Sequence, residues 1–195
     1  MNGWFRRMLW PETGRTWVLT SPNLPRWEGC LVYPGQVLLE GTNISEGRGT
    51  TTPFEVFGSP FVNPIKLLAE LGPFKLTGLR LRPVRFLPTF HKWRDKSCGG
   101  LYLHVTDPPT FQPVRTTLAL ITAIRRLWPS GFAWRNPPYE YETLKPPIDI
   151  LFGNCRFREA LERDAVKTPA DLDELLFLDK AAWRKQVAEH LLYGG

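Results

Sequence analysis

The chain of 195 residues is 43% hydrophobic and 13% aromatic, so it has the apolar content for one packed domain and is not wholly disordered. Its formal net charge of +6 would suit an anionic partner. However, the basic residues are scattered and no zinc-finger, basic-zipper or RNA-recognition signature is present, so nucleic-acid binding is not expected. Three widely spaced cysteines without a CxxC pair point to neither a metal site nor a redox motif, and we expect no metal and no cofactor.

The N-terminal part of the chain is rich in proline, glycine and tryptophan, with short strand candidates at residues 16–20 and 36–39. Residues 1–17 carry positive charge but no continuous apolar segment, so they do not read as a signal peptide. No run approaches the roughly twenty apolar residues that cross a bilayer. The sequence therefore predicts no export signal and no membrane span, and it leaves the compartment open.

The next segment, residues 40–55, is polar and glycine-rich and reads EGTNISEGRGTTTPFE. Its three glycines permit positive φ and close approach of the backbone to another group. Carboxylates, an arginine and several hydroxyl groups within so short a segment favour a loop that holds a polar ligand. At its end, Thr52 and Pro53 resemble a helix start with Glu55 completing a capping box, so Glu55 is predicted to be structural.

The remainder of the chain alternates helix and strand patterns. Asn63 followed by Pro64 is typical of a helix N-terminus. Alternating apolar residues predict strands at 79–86 and 101–106. Apolar residues at helical spacing predict helices at 65–71, 113–127, 148–152, 156–163 and from Thr168 towards Tyr193, with a long proline- and aromatic-rich loop at 128–147. This order predicts an α+β fold in which helices pack on a mainly antiparallel sheet.

One long stretch, YPGQVLLEGTNISEGRGTTTPFEVFGSP at residues 33–60, is highly specific. Shorter stretches accompany it in order: SPNLP at 21–25, FLPTFHKW at 86–93, CGGLYLHVTD at 98–107, PIDILFG at 147–153 and HLLY at 190–193. Together they resemble the exo-β-N-acetylmuramidase family of glycoside hydrolases, formerly a domain of unknown function. The resemblance covers nearly the whole chain.

The resemblance implies a domain organisation. Family members carry a Rossmann-like domain before the region present here, and their active site lies in a cleft between the two. Residues 21–195 are therefore expected to form the C-terminal domain, with residues 1–20 a remnant of the inter-domain segment and the Rossmann-like domain missing or supplied in cis or in trans. A fragment, a split gene and a mis-called start all stay open. Members are often periplasmic or secreted, which leaves the localisation of this chain undetermined.

The resemblance also implies a function. Members release N-acetylmuramic acid from the non-reducing ends of peptidoglycan fragments, which would be the partners of this chain. Glycosidic cleavage uses paired carboxyl groups, and Glu40 and Glu46 are the predicted catalytic pair. Arg48 is predicted to bind the lactyl carboxylate of muramic acid bidentately. The other predicted sugar-binding residues are Thr42, Asn43, Ser45, Thr50, Thr51 and, from the polar face of the second strand, His104.

Structural roles for the same side chains stay open. Glu46 and Arg48 can pair to hold the loop, Glu40 can accept backbone hydrogen bonds in a turn, and His104 can be an ordinary half-buried histidine. Three functions follow: part of an exo-glycosidase, a stand-alone module that binds muramic acid without cleaving it, and an inert structural fragment. We expect the chain alone not to hydrolyse an N-acetylmuramide. We also expect Glu46→Gln in a full-length protein to reduce turnover with little change in melting temperature.

Overall fold

A three-stranded antiparallel sheet forms within residues 2–193, the part of the chain that the computed structural model describes. Its strands are β1 (Val56–Ser59), β2 (Leu79–Phe86) and β3 (Cys98–Val105), with β3 between the other two. Gly58 lies opposite Gly100 in the β1–β3 pair, and a Cβ on Gly100 would lie 1.8 Å from the carbonyl oxygen of Phe57. The two strands can approach this closely because the position carries no side chain.

Helices pack on the sheet and on one another. They are α1 (Trp27–Gln36), α2 (Pro64–Glu70), α3 (Pro113–Leu127), α4 (Pro147–Phe152), α5 (Arg156–Glu162), α6 (Pro169–Leu175) and α7 (Lys180–Val187). Short 3-10 turns lie at Trp10–Thr13, Val37–Gly41, Gly72–Phe74 and Ala188–His190. Across residues 2–193, no helix combines the length and the apolar character that crossing a membrane requires.

Helix α3 is the central element of the core. Its residues 116–124 are all buried, since apolar side chains and threonines occupy every side of this part of the helix. The core also takes Phe57 and Leu101 from the sheet. Helix α1 packs against α3, where Gln36 Nε2 donates a hydrogen bond of 2.8 Å to Thr117 Oγ1. Because α1 leads directly into a 3-10 turn, this packing sets the position of the polar, glycine-rich segment at residues 40–51.

The α+β fold predicted from the sequence is confirmed. Strand β2 and helix α3 have the predicted bounds, whereas β3 begins at Cys98 rather than at residue 101. Helix α2 has the predicted cap, because Asn63 Oδ1 accepts hydrogen bonds from the N–H groups of Ile65 and Lys66 at 3.0 and 3.1 Å. Short-range sequence signals therefore located these elements correctly.

Replacing Asn63 with alanine is expected to lower the free energy of unfolding by about 1 kcal/mol, because two N–H groups lose their side-chain acceptor. Urea unfolding measures this loss. Asn63→Asp keeps the acceptor and is the matched control, expected within about 0.5 kcal/mol of wild type. Equal losses in both variants would show that the cap does not account for the effect.

Two strand predictions in the N-terminal part are wrong. Residues 16–20 form no strand and pair with no strand among residues 2–193, and Val18 and Leu19 are exposed. Residues 36–39 end α1 and begin the 3-10 turn. Pro34 lies inside α1, and the buried Val32, Leu38 and Leu39 on both sides of it join the core.

Glu55 does not cap a helix, so this prediction is also wrong. Phe54 has a φ of +66°, and the chain then enters β1 directly. The Glu55 carboxylate accepts hydrogen bonds from both Nε and Nη2 of Arg26, the former at 2.8 Å, and from the Tyr102 hydroxyl at 2.9 Å. The residue is structural, as predicted, but it joins the start of α1 to the sheet.

The predicted last helix is two helices. Helix α6 ends at Leu175 and α7 begins at Lys180. Between them, Asp179 accepts hydrogen bonds from the N–H groups of Ala181 and Ala182 at 3.1 and 2.9 Å. This aspartate is an N-cap within the segment predicted as continuous helix, and it starts a new helix there.

Candidate functional site

The polar loop, residues 40–51, is folded tightly onto the sheet. Ser45 and Gly58 of β1 exchange two backbone hydrogen bonds of 2.8 and 2.9 Å. Thr42 Oγ1 donates to a backbone carbonyl at 2.8 Å and accepts from a backbone N–H at 3.1 Å within its own turn. These hydrogen bonds hold the first half of the loop in one conformation.

The second half of the loop depends on two glycines with positive φ. Gly47 has a φ of +78°, and a Cβ there would lie 2.4 Å from the carbonyl oxygen of Val56. Gly49 has a φ of +81°, and a Cβ there would lie 2.7 Å from the backbone nitrogen of Thr89. Thr50 Oγ1 closes the turn by donating to the Gly47 carbonyl at 2.6 Å. The loop is therefore held between β1 and the segment after β2.

Six polar or charged side chains meet at this loop and form what we call the charged cluster: Glu40, Glu46, Arg48, His91, Lys92 and Tyr139. Glu46 lies at its centre with no exposed surface. Lys92 Nζ donates to Glu46 Oε2 at 2.9 Å and to the carbonyls of Leu39 and Ile44 at 2.8 and 2.9 Å. All three hydrogens of the ammonium group are therefore used.

The other oxygen of Glu46 faces two nitrogen groups. Oε1 lies 3.1 Å from Arg48 Nε and 3.3 Å from His91 Nδ1, and neither contact has hydrogen-bond geometry. Arg48 Nη2 in turn donates to Glu40 Oε1 at 2.6 Å, and the Tyr139 hydroxyl donates to Glu40 Oε2 at 2.7 Å. The cluster is thus a continuous row of contacts from Tyr139 to Glu46.

The environment sets the protonation states in the cluster. Burial is the largest influence on the pKa of Glu46 and raises it, but the His91 contact, the charge and hydrogen bond of Lys92 and a backbone hydrogen bond together outweigh burial and bring the pKa to about 2. Burial lowers the pKa of Lys92 by more than the Glu46 charge raises it. Burial and the hydrogen bond to Glu40 both raise the pKa of Tyr139. At neutral pH Glu46 is therefore a carboxylate, and the Tyr139 hydroxyl keeps its proton.

Two adjoining cavities lie beside the charged cluster. The main cavity, of about 370 Å³, is lined by Thr42, Asn43, His91, Lys92, Trp93 and Arg135. The second cavity, of about 300 Å³, is lined by Glu40, Arg48, Phe90, His91, Arg135, Tyr139 and Glu140. His91 and Arg135 border both cavities and are exposed to solvent. Within residues 2–193, no group of three or more His, Cys, Asp or Glu side chains is placed to hold a metal ion.

The long loop after α3 completes the rim of the cavities. The Asn43 side chain makes hydrogen bonds of 2.7 and 3.0 Å with backbone groups of residues 131–133. The backbone N–H of Arg135 donates a hydrogen bond of 2.9 Å to the Gly41 carbonyl. Trp93 Nε1 donates to the Asn43 carbonyl at 2.6 Å. Three segments that are distant in the sequence therefore form one connected surface.

Some of the predicted site residues come together in this arrangement. Glu40, Glu46 and Arg48 belong to the charged cluster, and Glu46 and Arg48 make the mutual contact that the structural alternative predicted. Thr42 and Asn43 line the main cavity. The polar loop and the cavities therefore occupy the same region of the fold.

The other predicted residues line neither cavity. Ser45 Oγ is buried and accepts from a backbone N–H at 3.2 Å, Thr50 closes a turn, and Thr51 is exposed. His104 stacks on the Tyr102 ring with centroids 4.4 Å apart and accepts from Arg82 Nε at 3.2 Å. Sugar binding by these four residues stays a prediction.

Sequence reasoning missed several residues of the site, namely His91, Lys92, Trp93, Arg135 and Tyr139. Two signals in the sequence point to them. The FLPTFHKW stretch belongs to the family resemblance, and the loop at 128–147 is long for a connection without secondary structure. Neither signal shows that these segments contact the polar loop.

Residues 31–193 match the family model described as Exo-beta-N-acetylmuramidase NamZ, C-terminal. The peptidoglycan beta-N-acetylmuramidase NamZ of Bacillus subtilis (strain 168) is 45% identical to this chain over 162 residues. That alignment covers 83% of this chain and 37% of the Bacillus protein. The chain therefore spans little more than a third of the length of this curated relative.

Two solved structures of DUF1343 family proteins from Bacteroides fragilis NCTC 9343 have a similar fold. One has a TM-score of 0.78 at 22% identity and covers 98% of this chain and 49% of its own. The other has a TM-score of 0.55 at 24% identity and covers 89% of this chain and 43% of its own. At these identities the similarity concerns the fold, and it agrees with the α+β architecture.

Proposed function

The chain belongs to the exo-beta-N-acetylmuramidase NamZ family, matching its C-terminal domain, and on this premise we propose that it forms one wall of an active-site cleft. In that cleft N-acetylmuramic acid is released from the non-reducing ends of peptidoglycan fragments. The observation that supports this function most directly is the charged cluster beside two adjoining cavities. On this proposal the other wall comes from a Rossmann-like domain, in cis or in trans.

Glu40 is the carboxyl group best placed to act on a substrate. It lines the second cavity, and its side chain is 10% exposed. Arg48 and Tyr139 each donate to one of its oxygens, which fixes the orientation of the carboxylate. Glycoside hydrolysis uses one carboxyl group as acid and another as base or nucleophile. We assign Glu40 to one of these roles, and the second carboxyl group to the opposite wall.

Glu46 acts as a positioning residue on this proposal. Its side chain has no exposed surface, so a catalytic role, which the sequence predicted, would require a contact with the sugar that burial does not provide. With a pKa of about 2 it also carries no proton to donate at neutral pH. Its carboxylate instead holds Arg48 and His91 at the border of the cavities.

Exposed apolar side chains near the second cavity support a covering wall. Phe90, which lines this cavity, is 48% exposed. Tyr141 and Leu144, in the long loop after α3, are 99% and 84% exposed. Large exposed apolar groups beside a polar site are typical of a surface that another protein segment covers.

A chimera tests this function. Residues 31–193 of this chain replace the matching segment of Bacillus subtilis NamZ, and hydrolysis of a chromogenic N-acetylmuramide is measured. We expect the chimera to hydrolyse it and the isolated chain not to, because one wall holds an incomplete set of reacting groups. Glu40→Gln in the chimera is expected to lower kcat about a hundredfold. Glu174→Gln, an exposed carboxylate of α6, is the control expected to keep wild-type turnover.

Two results would contradict the proposal. Hydrolysis by the purified isolated chain would show that the reacting groups are complete within it. A folded chimera that binds N-acetylmuramic acid without hydrolysing the substrate would favour the alternative, a stand-alone module that binds muramic acid.

A further inference from the structure

We propose that Arg135, together with the backbone N–H groups of Lys92 and Trp93, forms the receptor for the lactyl carboxylate of muramic acid in the main cavity. The inference rests on the proposed function and adds the residue that sets its sugar preference. N-acetylglucosamine lacks the lactyl group, so a receptor for that carboxylate distinguishes the two sugars. The sequence assigned this role to Arg48.

The other cations of the site are already engaged by protein groups. Arg48 has Nη2 2.6 Å from a Glu40 oxygen and Nε 3.1 Å from a Glu46 oxygen, and its guanidinium carbon lies 5.1 Å from the centroid of the Phe54 ring. The Lys92 ammonium uses all three hydrogens within the protein. A substrate carboxylate would have to displace a carboxylate of the protein from Arg48. Such an exchange forms one ion pair and breaks another, so the number of ion pairs does not increase.

Arg135 is the cation available to a ligand. It is exposed, borders both cavities, and has no carboxylate partner among residues 2–193. Its backbone is held by the hydrogen bond to Gly41, and its guanidinium carbon lies 5.5 Å from the centroid of the Tyr139 ring. Tyr139 is itself held by Glu40. A guanidinium placed against an aromatic ring keeps its edge free for two parallel hydrogen bonds to a carboxylate.

The backbone beside the main cavity supplies further donors. His91, Trp93 and Asp95 have φ values of +67°, +59° and +57°, so positive and negative φ alternate along residues 91–95. Such alternation turns successive N–H groups into a concavity that binds anions. The N–H groups of Lys92 and Trp93 have no hydrogen-bond acceptor within the part of the chain that the structure describes. Non-glycine residues at positive φ are costly and concentrate at functional sites.

The distribution of charge orients the sugar. The residues that line the main cavity include His91, Lys92 and Arg135 and no Asp or Glu, whereas Glu40 and Glu140 line the second cavity. An anionic substituent is therefore favoured in the main cavity. The scissile bond then lies towards the second cavity, where Glu40 is placed to act.

Titration calorimetry of the 195-residue chain tests the receptor, with N-acetylmuramic acid, its lactyl methyl ester and N-acetylglucosamine as ligands. The wild type is expected to bind the acid about tenfold more tightly than either neutral sugar. Arg135→Met is expected to abolish this preference while keeping the affinity for N-acetylglucosamine within about twofold. Arg135→Lys keeps part of the preference, because it retains the charge without the planar fork. Arg80→Met, at an exposed arginine of β2, is the matched control and keeps the full preference.

The backbone donors have a separate readout. In ¹⁵N–¹H spectra the amide resonances of Lys92 and Trp93 are expected to shift with the acid and not with its ester. Unmoved amides would exclude them from the receptor. A preference that Arg135→Met keeps and Arg48→Met loses would assign the carboxylate to Arg48 and overturn the inference.

The outcomes separate this inference from the proposed function. The proposed receptor is wrong if the wild type binds all three sugars equally or binds none of them. The proposed function is tested separately, by whether the chimera hydrolyses its substrate. An active chimera with a preference unchanged by Arg135→Met means that the function stands and the receptor fails. If the chain binds the acid in an Arg135-dependent way but the folded chimera is inactive, the receptor stands and the proposed function fails.

Discussion

Replacing Lys92 with methionine is expected to lower the free energy of unfolding by about 3–5 kcal/mol. The substitution keeps an unbranched side chain but removes the ammonium group that donates a hydrogen bond to Glu46, which has no exposed surface. It also leaves the carbonyls of Leu39 and Ile44 without the hydrogen bonds that Lys92 donates. Breaking a buried ion pair is costly because the remaining charge keeps its desolvation penalty and loses its partner. Urea unfolding with an unchanged m value measures the loss.

Two further variants identify the cause of that loss. Lys66→Met removes an exposed lysine of α2 and is expected to change stability by less than about 0.5 kcal/mol. The double variant Lys92→Met/Glu46→Gln is expected to recover part of the loss, because no unpaired charge remains buried. A loss below about 1 kcal/mol in Lys92→Met, or no recovery in the double variant, would show that the buried pair does not hold the loop.

The predictions that succeeded depended on short-range chemistry. Helix α2 begins at Asn63 and Pro64, as these residue types predicted. The apolar spacing of residues 113–127 predicted both ends of α3 correctly. Thr52 and Pro53 carry the same local signal as Asn63 and Pro64, but no helix starts there. The carboxylate expected to complete the cap pairs instead with Arg26, 29 residues away. A local pattern cannot show which distant partner competes for a side chain.

The prediction of a strand at residues 36–39 was wrong for a related reason, namely a contact with a distant segment. Helix α1 includes Pro34, and Gly35 after it fits closely against α3. A Cβ on Gly35 would lie 2.1 Å from the carbonyl oxygen of Pro113. This contact between distant segments is not encoded in the pattern around residue 36, so periodicity alone could not reveal it.

About half of the candidate site was predictable. The segment that carries Glu40, Glu46 and Arg48 is continuous in sequence, and its composition predicted a loop that holds a polar ligand. Its partners are distant: Lys92 contacts Glu46 from 46 residues away, and Tyr139 contacts Glu40 from 99 residues away. The burial of Glu46 follows from those partners. The sequence therefore placed two acids in the loop without showing that one of them is enclosed.

Acidification is expected to remove about 3 kcal/mol of stability from the wild type between about pH 4.5 and pH 2. The ordinary pKa of a glutamate is 4.5, and in the folded chain the pKa of Glu46 is about 2. A carboxyl group whose pKa is depressed by folding stabilises the folded state above its unfolded pKa. That contribution is lost as the pH falls through the folded pKa. Urea unfolding across this pH range measures the slope.

Glu46→Gln assigns the slope to this residue and decides what Glu46 does. The variant is expected to be markedly less stable than wild type at pH 7 and to approach it near pH 2, because glutamine cannot ionise. Glu174→Gln, the exposed control, is expected to follow the wild-type curve. A Glu46→Gln curve that coincides with the wild-type curve would place the acid loss elsewhere. It would also restore the expectation from the sequence, in which Glu46 acts on the substrate and contributes little to stability. A convergent curve instead makes the ionised Glu46 a structural anion, and it agrees with the proposal that assigns the reaction to Glu40.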